Sequence, residues 1–127
     1  MANYVVNGGV SAIATLISSA ATWLAVGIGD LTAAPTGPNK ADTTLKSVIT
    51  GSGLDAGAAT MSLQTTTVAN DTVRATKTWT VSGTKAITEI GLQTSGGVLY
   101  ARALTSATKN VSAGDTFTGT LSIVLAS

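Results

Sequence analysis

The stretch ITEIGLQTSGGVLYARAL, residues 87–104, decides the fold. Apolar and β-branched residues fill both of its halves, and a short run of serine and glycine separates them. This composition is typical of two strands joined by a tight turn. It predicts a β-hairpin with strands at 86–92 and 98–104, centred on Ser95-Gly96.

The hairpin also holds the chain's single glutamate, Glu89, and one of its two arginines, Arg102. Counting outward from the predicted turn pairs Ile90 with Ala101 and Glu89 with Arg102. Directly opposed residues of an antiparallel pair point to the same face of the sheet. We therefore predict an ion pair between Glu89 and Arg102 that fixes the register of the hairpin, because a one-residue slip would turn every side chain to the opposite face.

Alternation of apolar and polar residues predicts further strands along the chain. Val73 and Trp79 alternate with threonines, and near the C-terminus Phe117 and Leu121 share a face opposite another set of threonines. The strands predicted outside the hairpin lie at 22–28, 63–68, 73–81 and 116–125, with turns at 69–71 and 82–84 and a glycine-rich loop at 51–60.

Near the N-terminus, apolar residues recur at helical spacing over residues 9–18, which predicts a short helix. The whole chain of 127 residues is one domain's worth of sequence. The sequence therefore predicts a single domain over residues 1–127 with a mainly β fold. We expect an antiparallel β-sandwich or barrel with one short N-terminal helix.

The side-chain inventory argues against catalysis and metal binding. The chain has no cysteine and no histidine, which removes thiolates, disulfides and the commonest general base. The glycine clusters GIGD and GSGLDAG lack the Lys-Ser/Thr of a phosphate-binding loop. The aspartates in predicted loops lack calcium-loop spacing and are interpreted as solvated carboxylates; they are Asp30, Asp42, Asp55 and Asp71. We predict a non-enzymatic protein without catalytic residues, cofactors or metal ligands.

Charge also limits the partners. The seven basic residues are scattered, so no cluster exists to neutralise nucleic-acid phosphates. Residues 8–29 carry no charge and are long enough to span a bilayer, but they are rich in Ser, Thr and Gly and lack flanking cations. We expect this segment to form a helix and then a strand, with neither nucleic acid nor membrane as a partner.

A long loop follows at residues 30–44 and contains both prolines of the chain. Proline fixes the backbone and removes an amide donor, so the loop is stiffer than a glycine-serine linker of equal length. We predict an ordered contact loop at residues 30–41 whose candidate partner-binding residues are Leu31, Pro35, Pro38 and Asn39. A short helical turn through Ser47, capped by Asp42, is predicted to follow it.

Composition favours self-association. Hydrophobic residues make up 44% of the chain and charged residues 10%, against about a quarter charged in typical domains. We expect a homo-oligomer, with a trimer favoured. Trp23 and Trp79 are interpreted as core or interface anchors, and a carbohydrate-binding surface built on them and Tyr100 is the less favoured alternative.

An ordered series of short motifs resembles a group of small tailed-bacteriophage virion proteins. The motifs are A-x-G-x-G at Ala25, Gly27 and Gly29, A-P at Ala34-Pro35, D-T-x-L at Asp42, Thr43 and Leu45, I-T-E-x-G-L from Ile87, L-x-A-R-A from Leu99, and the closing Asp115-Thr116. One departure is Leu104, where the group's pattern has phenylalanine. The resemblance implies a virion location and a partner among the major capsid protein or the tail proteins. A capsid decoration (cement) role is favoured, and a tail-fibre, collar or baseplate role is the alternative.

Overall fold

One helix and seven strands make up the computed structural model, which describes residues 5–28, 45 and 47–126. The helix α1 spans Asn7–Ala20. The strands are β1 Trp23–Gly27, β2 Gly57–Ala58, β3 Thr60–Gln64, β4 Thr72–Thr80, β5 Lys85–Gln93, β6 Leu99–Val111 and β7 Thr116–Val124.

The strands form two antiparallel sheets with the core between them. The four-stranded sheet has the order β2-β1-β5-β6, and the three-stranded sheet has the order β3-β4-β7. Leu24 and Leu92 of the first sheet and Trp79 and Leu121 of the second belong to one buried cluster. The predicted mainly β fold is therefore confirmed, in the form of a sandwich.

The helix confirms the predicted one and extends it by two residues at each end. Val10 and Ala14 are buried, and Ile17 packs against the sandwich core. The opposite side of the helix leaves Leu16 70% exposed, and no residue of α1 is charged.

The strands β4 and β7 confirm the predicted alternation. They pair over nine residues each without a register shift, from Thr72↔Val124 to Thr80↔Thr116. Val73 and Trp79 point to the core, while the intervening threonines lie on the outer face of the sheet. The two-residue period of a strand is a local property, so the sequence pattern predicts it well.

Two predictions upstream were wrong. The strand expected at 63–68 is β3, Thr60–Gln64, and residues 65–71 form a loop. Part of the predicted glycine-rich loop is strand β2, Gly57–Ala58, which pairs with Trp23 and Leu24. Composition missed β2 because glycine has low strand propensity and the pairing is supplied by a distant strand.

The strand β1 was predicted as an alternating strand at 22–28, but it is buried on both faces. Leu24, Ala25 and Val26 are all fully buried. Leu24 and Val26 belong to the core cluster, so Ala25 must be covered on the other face of the sheet. Another segment of the chain therefore covers the outer face of the four-stranded sheet at β1.

The hairpin of β5 and β6 is present, but its predicted register was wrong. Arg102 lies opposite Gly91, and Glu89 lies opposite Leu104. The turn shifts the pairing by one residue relative to the predicted register. It closes with a hydrogen bond from the amide of Thr94 to the carbonyl of Val98, and Gly97 takes a φ of 94°. A bulge between Leu92 and Gln93 contributes the second shift. Two one-residue shifts return Glu89 and Arg102 to their predicted common face. A further shift lies between Ile87 and Glu89, so Ile87 is opposite Lys109.

Candidate functional site

The most distinctive polar feature is a buried ion pair between strands β5 and β6. Arg102 Nη2 lies 2.8 Å from Glu89 Oε2, and Arg102 Nε donates to the same oxygen at 3.3 Å. The side chains of Arg102 and Glu89 are 2% and 0% exposed. The predicted pair is thus present, as a diagonal contact that the long arginine side chain spans and not as a directly opposed pair.

The pair lies on the outer face of the four-stranded sheet, beneath the segment of residues 47–49. The amide of Ser47 donates to Glu89 Oε1 at 3.3 Å, and its carbonyl accepts from the amide of Ile28 at 2.8 Å. The amide of Ile49 donates to the carbonyl of Val26 at 2.9 Å, and Val48 forms a bridge with Gly27. The carboxylate therefore ties three separate parts of the chain together.

Gly27 makes this close approach possible. A Cβ at this position would lie 2.6 Å from Glu89 Oε1 and 2.7 Å from the carbonyl oxygen of Ser47. Both distances are shorter than real contacts allow. A side chain at position 27 would therefore displace either the Glu89 carboxylate or residues 47–49, which we call the covering segment. The sequence motif A-x-G-x-G holds this glycine, but its role is visible only once the partner segment is placed.

The contacts of the Glu89 carboxylate described above are structural ones. Within the part of the chain that the structure describes, it contacts an arginine and a backbone amide and no second carboxylate with which to exchange a proton. No group of three or more acidic residues able to hold a metal ion occurs within the described residues. What the pair can do is hold the hairpin and the covering segment in one arrangement.

A second buried carboxylate, Asp71, organises the loop between β3 and β4. Its side chain accepts from the amides of Thr66 (2.8 Å), Thr67 (2.8 Å) and Val68 (3.0 Å). The hydroxyls of Thr66 and Thr72 also donate to it, at 2.9 Å and 3.0 Å. The interpretation of Asp71 as a solvated carboxylate was wrong: it is fully buried. These bonds explain why residues 66–68 leave the predicted strand, since their amides turn inward to the carboxylate.

Opposing effects act on the charge of Asp71. Burial on its own raises the pKa of the Asp71 carboxyl, but the hydrogen bonds from the amides of Val68, Thr66 and Thr67 outweigh it. They hold that pKa well below its ordinary value. The ionised form is therefore the form that the folded loop binds.

This depressed pKa predicts an acid-sensitive contribution to stability. The unfolded chain takes up the proton near pH 4 while the folded protein still excludes it, so the contribution of Asp71 is complete above about pH 4 and declines below it. Urea titrations of the wild type and of Asp71→Asn should differ most at about pH 6 and converge toward about pH 2.5. An equal difference in unfolding free energy at both pH values would contradict this assignment.

The outer face of the three-stranded sheet forms an ordered array of hydroxyl groups. We call it the threonine face. Two pairs connect β4 to β7: Thr78 and Thr118 with hydroxyl oxygens 2.8 Å apart, and Thr76 and Thr120 with 3.3 Å. The remaining members of the face are Thr80 and Thr116, which are opposed in register. All six are uncharged and exposed or half-buried, so these positions present methyl and hydroxyl groups to any partner. One charge borders the threonine face, because the exposed Arg74 lies on the same side of β4, opposite Ser122.

The aromatic residues proposed for a carbohydrate surface do not lie on one exposed platform. Trp79 is 3% exposed, stacks on Phe117 with ring centroids 5.8 Å apart, and donates from Nε1 to the carbonyl of Asp55 at 2.9 Å. Trp23 is half-buried and Tyr100 is 46% exposed. The interpretation of Trp79 as a core anchor is confirmed.

Several predicted features lie outside the described residues. These are the candidate contact residues Leu31, Pro35, Pro38 and Asn39, and the cap at Asp42. Among the described helices, none is long and apolar enough to cross a membrane.

Comparison with known proteins returned no matching family model and no matching curated protein.

Proposed function

We propose that this chain is a non-enzymatic structural protein of a bacteriophage virion, and that it decorates the capsid shell. The observation that carries the proposal is the near absence of charge on two exposed surfaces. One surface is the threonine face, and the other is the solvent side of the uncharged helix α1, where Leu16 is exposed together with Val6 directly before the helix. Interface cores are depleted in charged residues, because burying a charge costs solvation free energy.

The ordered sequence motifs supply the biological setting of the proposal. They resemble those of small virion proteins of tailed phages, from Ala25 near the N-terminus to Thr116 in the last strand. A decoration protein acts by mass action: if it binds the assembled shell and not the free capsid protein, it shifts the equilibrium toward the shell. Such an action needs contact area and a rigid fold, and it needs no catalytic group.

The copy number in purified particles tests the proposal. Quantitative mass spectrometry of the encoding phage should find the chain in amounts comparable to the major capsid protein. A small fraction of that amount would indicate the alternative, a tail-fibre, collar or baseplate component. Absence from purified particles would refute a virion role altogether.

The candidate contact loop gives a further prediction. Replacing residues 33–39 with a glycine-serine segment of equal length should abolish binding to decoration-free shells, because it removes Pro35, Pro38 and Asn39 while keeping the connection. Co-sedimentation with the shells measures binding, and the melting temperature of the free variant verifies the fold. Undiminished binding by a folded variant would rule out this loop as the contact.

A further inference from the structure

The free edge of strand β7 is the most distinctive unassigned feature of the described surface. Within the described residues β7 pairs with β4 alone and forms one edge of the three-stranded sheet. Its nine residues pair with β4 without a bulge, so the strand is regular along its whole length. A regular edge strand presents a row of unpaired amide and carbonyl groups, which is the chemistry that another extended chain satisfies.

β7 also lacks the features that usually protect an edge. Its sequence TFTGTLSIV contains no charged residue and no proline. The other long edge strand of the described fold, β6, is interrupted by register shifts against β5 and carries Lys109. The remaining edge strands, β2 and β3, have only two and five residues. Proteins block edges with charges, prolines and bulges, so an unblocked edge of this length points to a partner strand.

Space for a partner lies beside β7. A groove of about 220 Å³ runs between β6 and β7. Its lining combines apolar and hydroxyl groups with one cation, Lys109 of β6; the other lining residues are Ile90, Thr105, Phe117, Thr118, Gly119 and Thr120. An added strand can therefore bond to the edge while its apolar side chains approach Ile90 and the half-buried Phe117.

The sequence of β7 identifies the occupant as a second β7. If two copies run antiparallel about a two-fold axis at Thr120, each residue meets its counterpart across the strand centre. Phe117 then faces Ile123, which matches an aromatic residue with a β-branched one, and both are half-buried within one subunit. Gly119 faces Leu121, and both of these positions are already packed inside their own subunit. On the outer face Thr120 meets Thr120, the kind of pair that β4 and β7 already form within one subunit. No charge opposes a like charge in this register.

We propose that β7 pairs antiparallel with β7 of a second copy, joining two three-stranded sheets into one six-stranded sheet with a continuous threonine face. This contact goes beyond the proposed function and specifies a surface for the self-association expected from composition. A two-fold contact produces a dimer, so it replaces the trimer expected from composition as the species in solution.

Charge at position 120 tests the register directly. At the two-fold axis Thr120 lies opposite itself, with Cβ atoms about 5 Å apart. Thr120→Lys and Thr120→Glu should each weaken the dimer by roughly tenfold at low salt, because like charges then meet. An equimolar mixture of the two variants should recover the dimer, since opposite charges meet in the heterodimer.

The matched control is Thr78→Lys, which places the same charge on the same exposed face one strand away from the edge. It loses a hydroxyl contact, to Thr118, of the same kind as the Thr76 contact that Thr120→Lys loses. Sedimentation equilibrium from roughly micromolar to roughly millimolar concentration should give twice the 12.5 kDa subunit mass for the wild type and for the control.

Three results would overturn the pairing: a monomeric wild type over that whole range, a trimer, or a mixture of the charge variants that fails to recover the dimer. These outcomes are separate from the virion assignment. A chain that is abundant in particles but monomeric alone would retain the proposed function and eliminate the strand pairing.

Discussion

Replacing Arg102 with alanine should destabilise the fold by about 3–5 kcal/mol, because it leaves the Glu89 carboxylate buried without its counter-charge. The carboxylate is fully buried and would keep, of the bonds described above, only the one from the Ser47 amide. Glu89→Ala should also destabilise the fold, because it removes the buried carboxylate that accepts from Arg102 and from the amide of Ser47. Urea unfolding of each variant measures the loss.

A double-mutant cycle separates the pair from its surroundings. The Glu89→Ala/Arg102→Ala double variant should lose less stability than the sum of the single variants, because each single variant already removes the contact between the two side chains. The control is Arg74→Ala, which removes the chain's other arginine from an exposed site on β4 and should change stability by less than about 0.5 kcal/mol. Strictly additive single effects would disprove the coupling.

Hydrogen exchange locates the consequence of breaking the pair. The amides of Ser47, Ile28 and Ile49 all belong to the contact between the covering segment and β1 or Glu89. In Glu89→Ala they should exchange faster relative to core amides such as Leu24, because the carboxylate that holds Ser47 is gone. A uniform increase at all amides would indicate global destabilisation without a local role for Glu89.

The second large effect is expected at the turn before β2. Gly53→Ala should destabilise the protein by about 2–5 kcal/mol, because the new methyl group would collide with the carbonyl oxygen of Thr80 and the residue has a φ of 74°. The colliding atom belongs to the backbone of strand β4, which cannot move without disturbing the sheet.

Gly51→Ala is the matched control, because it lies in the same turn with a φ of 78° and open space around its Cβ position. Gly51→Ala should lower the free energy of unfolding by about 1 kcal/mol, the cost of placing alanine at a positive φ without any collision. The difference between the two variants in urea unfolding therefore measures the collision with Thr80. Equal losses would mean that the turn relaxes freely and that the contact is unimportant.

The threonine-rich strands show how far the sequence alone reaches. The alternation of Trp79 and Val73 with threonines predicted both the strand and the face that each residue occupies. Neighbours two residues apart in a strand point the same way whatever the rest of the chain does. The helix was predicted for the same reason, since its spacing of apolar residues is a property of one short segment.

The ion pair shows where this reasoning stops. Counting from the turn placed Glu89 and Arg102 on one face, and that was right because two register shifts preserve the face. It did not give the register, because the turn hydrogen bonds and the bulge at Gln93 depend on how β5 fits between β1 and β6. Nor did it show that the pair is buried.

Sequence alone thus determined the mainly β class, the helix, the faces of β4 and β7 and the partnership of Glu89 with Arg102. The tertiary structure decided the pairing register, the strand β2 and the burial of both carboxylates. Ser47 reaches Glu89 across 42 residues of chain, and no local pattern encodes a contact between segments so far apart. Asp71 is closer to its partners, but its burial depends on packing around the whole loop. The periodicity of a strand or helix follows from local backbone geometry. The burial of a side chain depends on which distant segments of the chain pack over it.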